Sequence, residues 1–267
     1  MAMFKRKLFS VIVPAYKQEN TIQKDILNIE NVLKQIRYDY ELIIVVDGIV
    51  DKTYEKAKKL ENTKIKVVGY ETNRGKGYAV RFGMARSKGD IVAFIDSGME
   101  LNPNGLSMLL EHFEWYNADI IVGSKRHPVS KVAYPLNRKI ISKLAQIFIK
   151  ILFGVAVSDT QAGIKFFKRK VLEDVLPRLI VKKFAFDIEV LAVAKYLGYK
   201  RIFEAPIELN FDLSGSVISS NLFKIIGHTF IDTLGIFYRM YILKYYSNEN
   251  KRKWKYDPEL CFKINVS

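Results

Sequence analysis

The chain has 267 residues, of which 49% are hydrophobic, and this composition allows one substantial core or one domain with an appendage. Its single cysteine, Cys261, excludes an internal disulfide and is consistent with a reducing compartment. The formal net charge of +15 favours an anionic partner, such as nucleic acid, anionic lipid headgroups or a phosphorylated substrate, although a solvated basic surface that only aids solubility would carry the same excess.

The first half of the chain alternates strand-like and helix-like segments. Short apolar runs predict strands over 9–13, 42–46, 65–68 and 91–95. Between them, apolar residues predict helices over 22–36, 51–60 and 77–86. Because apolar strands that alternate with helices form βαβ units, the pattern predicts an α/β fold with a parallel sheet covered on both faces.

The second half is less regular. A strand is predicted over 120–122, a long helix over 137–153 and a helix with its entry turn over 184–197. The segment 202–211 is interrupted by a proline, so it predicts an edge strand or two short strands.

Two carboxylates stand directly after predicted strands. Asp47 and Asp96 each come one residue past the end of an apolar run. In a parallel sheet, ligands bind beyond the carboxyl ends of the strands, so we expect both side chains to point into one crevice. The alternative is that each carboxylate caps a helix or supports a turn.

Two segments, 137–153 and 221–239, combine a polar stripe with a wide apolar face. Charges interrupt both well before the roughly 20 apolar residues that a membrane span needs, so no transmembrane helix is predicted. Two packed core helices or a dimer face would show the same pattern. The net charge and the basic aromatic tail over 251–256 favour helices that lie in the membrane interface.

Two blocks of the second half place carboxylates among apolar residues, where a carboxylate is costly unless it has a task or a partner. The run 159–167 reads DTQAGIKFF, and the run 184–191 reads FAFDIEVL. Both resemble blocks of the dolichyl-phosphate glucosyltransferases, which belong to the family 2 glycosyltransferases of the GT-A fold. Further blocks of similar kind follow the family's order, namely FSVIVPAY over 9–16, VDG over 46–48, NRGKG over 73–77 and GSKR over 123–126.

The resemblance implies a GT-A fold, which is a Rossmann-like nucleotide-diphospho-sugar transferase domain. It places this domain at 1–216, with a nucleotide-sugar half over about 1–100 and an acceptor half over 101–216. A C-terminal amphipathic helix and basic tail occupy 217–267. The implied activity is inverting transfer of a hexose to a polyprenyl or dolichyl phosphate, by a peripheral protein at the cytoplasmic face of a membrane. UDP-glucose is the first donor, and GDP-mannose, as in the dolichyl-phosphate mannosyltransferases, is the alternative.

Two other functions compete with this interpretation. A non-catalytic basic protein that binds nucleic acid or anionic membrane would explain the net charge, but not carboxylates placed after two buried strands. A glycosyltransferase for a soluble or polysaccharide acceptor would not need two amphipathic helices. We therefore expect a nucleotide sugar, a polyprenyl phosphate and the membrane surface as partners, and no nucleic acid.

The implied reaction determines which charges the site must supply. A nucleotide diphosphate leaves with negative charge, so it needs a divalent cation or fixed positive groups. The attacking phosphate oxygen is already anionic, so a strong general base is less necessary than for a sugar hydroxyl.

The resemblance also implies which residues form the site. The expected catalytic residues are Asp159, Gln161 and Asp187, and of Asp187 and Glu189 one is expected to orient the sugar or acceptor while the other is structural. The nucleotide sugar is expected at Pro14, Tyr16, Glu19, Asp47, Lys76 and Asp96. The acceptor phosphate is expected at Lys125, Arg126 and Arg138, with Arg74 as a weaker candidate cation.

A divalent metal, Mg²⁺ or Mn²⁺, is expected at Asp96 and Glu100, because both ions take oxygen ligands. The family's Asp-x-Asp motif is here Asp96-Ser97-Gly98, so the second carboxylate is missing. An inactive or metal-independent relative is the alternative. Val217 stands where the family has a lysine, which removes one expected contact with the donor phosphate.

Overall fold

The computed structural model describes residues 7–98, 101–130, 136–209, 222–249, 253–260 and 262–266. The strands are β1 (Leu8–Ala15), β2 (Asp39–Asp47), β3 (Ile65–Tyr70), β4 (Ile91–Ile95), β5 (Ile120–Ser124), β6 (Ile164–Lys168), β7 (Ile202–Pro206), β8 (Lys253–Asp257) and β9 (Phe262–Val266). The helices are α1 (Ile22–Leu33), α2 (Thr53–Lys58), α3 (Lys76–Arg86), α4 (Gly105–Trp115), α5 (Leu136–Phe153), α6 (Arg169–Val175), α7 (Phe186–Tyr196) and α8 (Leu222–Phe237). A 3-10 turn follows α6 at Leu176–Arg178, and a π-helical turn follows α8 at Tyr238–Ile242.

Seven strands form one sheet in the order β3-β2-β1-β4-β6-β5-β7. Strands β1, β2 and β4 lie in its middle, and they read as nearly continuous apolar runs because both faces of the sheet are covered. Strand β7 lies at one edge, as the interrupting proline of 202–211 predicted. The predicted α/β class is therefore confirmed by the architecture.

Strands β1 to β4 pair in parallel, as predicted, but β6 runs antiparallel to both of its neighbours, β4 and β5. The cause is the route of the chain. Ile164, the first residue of β6, pairs with Ile95, the last residue of β4. The segment 154–163 thus already lies at the carboxyl edge of the parallel strands, and the chain enters the sheet from that edge. This reversal brings the DTQAG block next to Asp96.

Several elements were not predicted from the sequence. Helices α4 and α6 were missed, and residues 164–168 were interpreted only as part of a site motif, although they form β6. The basic tail contains a two-stranded hairpin of β8 and β9. Whether such a segment forms a strand depends on its pairing with another segment, and the pattern within one segment does not reveal that pairing.

Helices α5 and α8 pack against each other, with the rings of Phe148 and Phe230 stacked at 5.3 Å between centroids. On α5, Ile149 and Phe153 are buried, so part of the apolar face that we expected at a membrane belongs to the protein core. Other large apolar side chains remain exposed, namely Leu144, Ile147 and Ile151 on α5 and Ile226, Phe230, Ile231 and Leu234 on α8. Among the described residues, no helix is long and apolar enough to cross a bilayer.

Candidate active site

The carboxylate of Asp47, at the end of β2, binds the loop that precedes α3. It accepts hydrogen bonds from the Tyr70 hydroxyl at 2.9 Å, the Asn73 side-chain amide at 3.0 Å, and the backbone N–H groups of Arg74 at 2.7 Å and Gly75 at 3.0 Å. Both oxygens are therefore engaged by the NRGKG loop. This geometry favours the alternative in which Asp47 supports a turn, and its contact with a nucleotide sugar stays a prediction.

Four ionisable side chains, alternately acidic and basic, extend from the carboxyl edge of the sheet into the core. Lys76 Nζ lies 2.8 Å from Asp96 Oδ2 and 3.4 Å from Asp187 Oδ2, and Lys165 Nζ lies 2.6 Å from Asp187 Oδ1. The side chains are 37% exposed at Asp96, 20% at Lys76, 3% at Asp187 and 0% at Lys165. We call this set the charge ladder; its outer end faces solvent and its inner end is enclosed.

Burial and pairing oppose each other in the charge ladder. Burial would lower the pKa of Lys76, but the Asp187 and Asp96 carboxylates outweigh it and hold that pKa above its ordinary value. Burial would raise the pKa of Asp187, but Lys165 and Lys76 hold it below its ordinary value. At Lys165 burial dominates, and its pKa lies below the ordinary value despite Asp187. Lys76 and Asp187 are therefore an ion pair at neutral pH.

Close packing explains two glycines of the recognised blocks. A Cβ on Gly163 would lie 2.2 Å from Asp96 Oδ2, and the Asp96 N–H donates to the Gly163 carbonyl at 2.8 Å. A Cβ on Gly77 would lie 2.4 Å from the Cβ of Phe186. Each glycine lets two chain segments approach, so both serve the assembly of the charge ladder.

Asp159 is largely buried, and it lies beside the basic turn after β5. Its Oδ2 accepts a hydrogen bond from the Lys125 N–H at 3.1 Å, while its own N–H donates to Glu204 at 3.1 Å. Glu204 also accepts from the N–H of Ser158 at 2.7 Å. These bonds assign Glu204 to holding the loop that carries Asp159. Gln161 is exposed on the same loop.

Helix α5 also contributes to this end of the site. The Gln146 side-chain amide donates to the Thr160 hydroxyl at 3.1 Å. Gln146 therefore contacts the DTQ segment at 159–161 and is not only part of a solvated polar stripe. The Arg126 guanidinium donates to the Ser142 hydroxyl, and the Arg126 backbone N–H donates to the Ser124 hydroxyl at 3.2 Å. Arg138 lies within α5, but its side chain is outside what the structure describes.

The remaining predicted residues occupy varied surroundings. Pro14 is buried near the end of β1, Tyr16 is exposed just after it, and Glu19 accepts a hydrogen bond from the Lys52 N–H at 3.2 Å. The Arg74 side chain pairs with Glu259, on the hairpin of β8 and β9. Arg74 is thus committed to the C-terminal hairpin. Glu100 and Val217 lie outside the described residues.

Lys165 was not singled out from the sequence, although it is the innermost member of the charge ladder. Its Nζ also donates to the Ala162 carbonyl at 2.7 Å, which fixes the DTQAG loop. The available signal was a lysine inside the apolar strand Ile164-Lys165-Phe166-Phe167. A buried lysine requires a carboxylate partner, and Asp187 was already a candidate.

The fit of a divalent metal can be tested at Asp96. No cluster of three or more His, Cys, Asp or Glu side chains that could hold an ion occurs within the described ranges. However, Asp96 Oδ1 is buried without a hydrogen-bond partner, while Oδ2 accepts from Lys76. A carboxylate oxygen is the ligand type that Mg²⁺ and Mn²⁺ take, so Asp96 fits one position of such an ion.

The mixed seven-stranded sheet has a GT-A-like architecture, and sequence comparison agrees. The family model described as Glycosyl transferase family 2 matches residues 10–176. The chain belongs to this family.

Curated relatives narrow the comparison. The chain is 30% identical over 205 residues to a dolichyl-phosphate beta-glucosyltransferase of Dictyostelium discoideum, covering 71% of this chain and 62% of the relative. It is 33% identical over 204 residues to one of Drosophila melanogaster, covering 70% of this chain and 63% of the relative. The chain thus spans somewhat less than two thirds of the length of these two relatives.

Solved structures support the fold. Glucosyl-3-phosphoglycerate synthase from Mycobacterium tuberculosis, in complex with Mn²⁺, UDP and phosphoglyceric acid, has a TM-score of 0.65 and 18% identity and covers 98% of this chain and 88% of its own. The same enzyme with Mg²⁺ and UDP has a TM-score of 0.62 and 16% identity and covers 97% of this chain and 87% of its own. At this identity the likeness concerns the fold alone.

We expect Asp187→Asn to destabilise the protein by about 3–5 kcal/mol at pH 7, because it leaves Lys165 buried without its counter-ion. Since the pKa of Asp187 is lower in the folded than in the unfolded chain, this contribution is present above about pH 4 and is lost as the pH falls through the folded value. Urea unfolding of the parent and the variant between pH 7 and pH 3 measures the difference.

The matched control is the double variant Asp187→Asn with Lys165→Met, which removes both partners and should recover part of the loss. An Asp187→Asn effect that is equally large at pH 3 and pH 7 would contradict the role of the ionised carboxylate.

Proposed function

We propose that this chain transfers glucose from UDP-glucose to a polyprenyl phosphate of the dolichyl type, with inversion at the anomeric carbon, at the cytoplasmic face of a membrane. The observation that carries the proposal is the charge ladder at the carboxyl edge of the sheet, in a chain whose curated relatives are dolichyl-phosphate beta-glucosyltransferases. GDP-mannose is the alternative donor.

The charges of the site suit two anionic substrates. The Lys76 ammonium is the partly exposed cation of the charge ladder, and it lies beside Asp96 at the mouth. A fixed cation there stabilises the negative charge that develops on the departing nucleotide diphosphate, and it does so more strongly than in water because the site is partly enclosed. The Asp187 side chain is 3% exposed and bonded to two lysines, so its effect on a sugar would pass through Lys76.

The proposed reaction is one displacement. An oxygen of the lipid phosphate attacks the anomeric carbon, the bond from that carbon to the diphosphate oxygen breaks, and its electron pair leaves on UDP. The acceptor oxygen is ionised at neutral pH, so no proton has to be removed at the moment of attack. Lys125 and Arg126, on the turn after β5, provide positive charge to hold the acceptor next to the loop of Asp159.

A divalent metal fits this proposal through Asp96, with Glu100 as the second expected ligand. A bound Mg²⁺ or Mn²⁺ would neutralise charge on the diphosphate. The chain's own contribution is the free Asp96 Oδ1, which is oriented by the backbone bond to Gly163 and by the Lys76 bond to Oδ2.

The exposed apolar side chains of α5 and α8 suit a bilayer surface. They lie on two helices that pack against each other, and Lys143 and Lys150 on α5 are exposed as well. Apolar burial in the acyl boundary together with attraction of lysines to anionic headgroups is the mode of an interfacial helix. Helix α5 also carries Ser142 and Gln146, which contact the acceptor end of the site, so this face lies on the same helix as groups at that end.

The direct test is incubation of the protein with radiolabelled UDP-glucose or GDP-mannose and a polyprenyl phosphate in vesicles, followed by organic extraction. We expect label in the organic phase with UDP-glucose. Label only from GDP-mannose would mean that GDP-mannose is the donor in place of UDP-glucose. No lipid-linked label with either nucleotide sugar would refute the proposal.

We expect Asp96→Asn, and separately EDTA, to reduce transfer by roughly 100-fold or more, because each removes charge stabilisation of the leaving diphosphate. The matched control is Asp119→Asn, which neutralises a carboxylate just before β5, at the opposite edge of the sheet. Full activity in EDTA would exclude a role for the metal and leave Lys76 as the group that stabilises the leaving diphosphate.

Arg126→Ala should raise the KM for polyprenyl phosphate by about 10-fold or more, with a smaller effect on the KM for UDP-glucose, because a charge-assisted bond to the acceptor phosphate is lost. Initial rates measured against each substrate give the two constants. The control is Arg37→Ala. Arg37 lies just before β2, and its guanidinium pairs with Glu111 on α4. Equal changes in both constants would assign Arg126 to the donor or to general structure.

The double variant Ile147→Glu with Ile151→Glu should reduce flotation with anionic vesicles by roughly 100-fold, because two apolar side chains no longer enter the interface. Both side chains are exposed, with Ile151 at 76%, so the fold should persist. Trp115→Glu is the control, since Trp115 is 86% exposed at the end of α4, away from this face. Unchanged flotation of the double variant would exclude this face as the membrane surface.

A further inference from the structure

Helix α7 carries two carboxylates that point to different surroundings. Asp187 belongs to the charge ladder, whereas Glu189 lies two positions further on, and residues two apart on a helix do not share a face. Glu189 is fully buried, and it contacts the C-terminal part of the chain. The displacement proposed above does not use it, although an enclosed carboxylate is costly without partners.

Three hydrogen-bond donors satisfy Glu189, and they come from two directions. The backbone N–H groups of Ile180 and Val181 donate at 3.1 Å and 2.9 Å, and the Tyr246 hydroxyl donates at 2.6 Å. Arg239 Nη2 lies 4.0 Å from the same carboxylate, and Arg239 Nε donates to the Tyr246 hydroxyl at 3.1 Å. Glu189 therefore joins the loop before α7 to the segment after α8.

The loop before α7 contacts the first turn of α3. The Lys182 carbonyl accepts the N–H of Tyr78 at 3.0 Å, and Phe186 packs so closely on Gly77 that a Cβ there would lie 2.4 Å away. Lys76 is the first residue of α3. A continuous series of bonds thus leads from Tyr246 through Glu189 and residues 180–182 to the turn that bears the Lys76 ammonium.

The segment on the other side of Glu189 belongs to the proposed membrane face. Helix α8 and the π-helical turn after it expose Phe230, Ile231, Leu234, Tyr238, Tyr241 and Ile242. Arg239 lies in that turn, and Tyr246 follows it as a fully buried side chain. The bonds to Glu189 therefore begin directly after the exposed apolar residues.

We propose that Glu189 is a positioning residue, which ties the C-terminal segment to the first turn of α3 so that the alignment of Lys76 with Asp96 and Asp187 depends on Tyr246. The inference rests on the proposed function in one respect, because the reaction is what reports the alignment. Lys76 acts on charge that develops in the transition state, so misalignment lowers kcat and leaves donor binding almost unchanged.

The test is Tyr246→Phe, which removes one hydroxyl and keeps the ring. The matched control is Tyr199→Phe, because the Tyr199 hydroxyl donates to the Asp174 carboxylate at 2.5 Å, on α6. We expect kcat to fall about 10-fold in Tyr246→Phe, with the KM for UDP-glucose within about twofold of the parent, and no such change in Tyr199→Phe. Glu189→Gln keeps the side-chain shape and should repeat the loss of kcat; this second variant decides the matter if Tyr246→Phe does not fold.

A second measurement does not depend on activity. Hydrogen exchange of the Tyr78 amide, which donates to Lys182, should be at least about 10-fold faster in Tyr246→Phe than in the parent and unchanged in Tyr199→Phe. If the parent shows no transfer at all, the proposed function fails and this exchange rate alone decides the role of Glu189. Parental exchange together with parental kcat in Tyr246→Phe, or equal effects in Tyr199→Phe, would overturn the inference.

Discussion

A lysine ammonium enclosed in a protein is costly unless a carboxylate lies against it, and this constraint organises the centre of the molecule. Lys165 has no solvent exposure and lies 2.6 Å from Asp187, which in turn requires Lys76. The groups of the charge ladder come from α3, α7, β6 and the residue that directly follows β4. Because each charge is satisfied only when its neighbour is in place, the pairing fixes how these four elements meet.

The charge ladder has unequal ends, and this inequality relates the fold to the chemistry. At the inner end, Asp187 and Lys165 are enclosed, so they cannot exchange partners with a substrate. At the outer end, Asp96 and Lys76 are partly exposed to solvent, and Asp96 keeps one oxygen without a partner. In the proposed reaction, the diphosphate would meet charges that the inner pair already orients.

The sequence predicted well what depends on one segment at a time. The apolar runs predicted β1 to β4, and Asp96 directly follows β4 as the sequence indicated. What depends on two segments was missed or misjudged. The direction of β6 is decided by where the chain re-enters the sheet, and Asp47 is engaged by a loop that follows β3.

Helix α5 shows a second kind of limit. Its sequence has one broad apolar face, but Ile149 is buried while Ile147 and Ile151 stay exposed. Periodicity shows that a face is apolar and does not show what covers it, since core and lipid select the same residues. Gln146 illustrates the same point for polar residues, because it lies on the polar stripe of α5 but hydrogen-bonds Thr160.

The reversed direction of β6 has a consequence for how much the strand can vary. Successive side chains of a strand point to opposite faces: Phe166 stacks on Phe9 at 5.2 Å, whereas Lys165 lies 5.2 Å from the ring of Phe94. A shift of pairing by one residue would exchange the two faces, placing an aromatic ring against Asp187 and an unpaired ammonium against Phe9. Insertions or deletions within 154–163 are therefore tolerated only if they leave this register unchanged, so the length of that connection is under the same constraint as the charges it delivers.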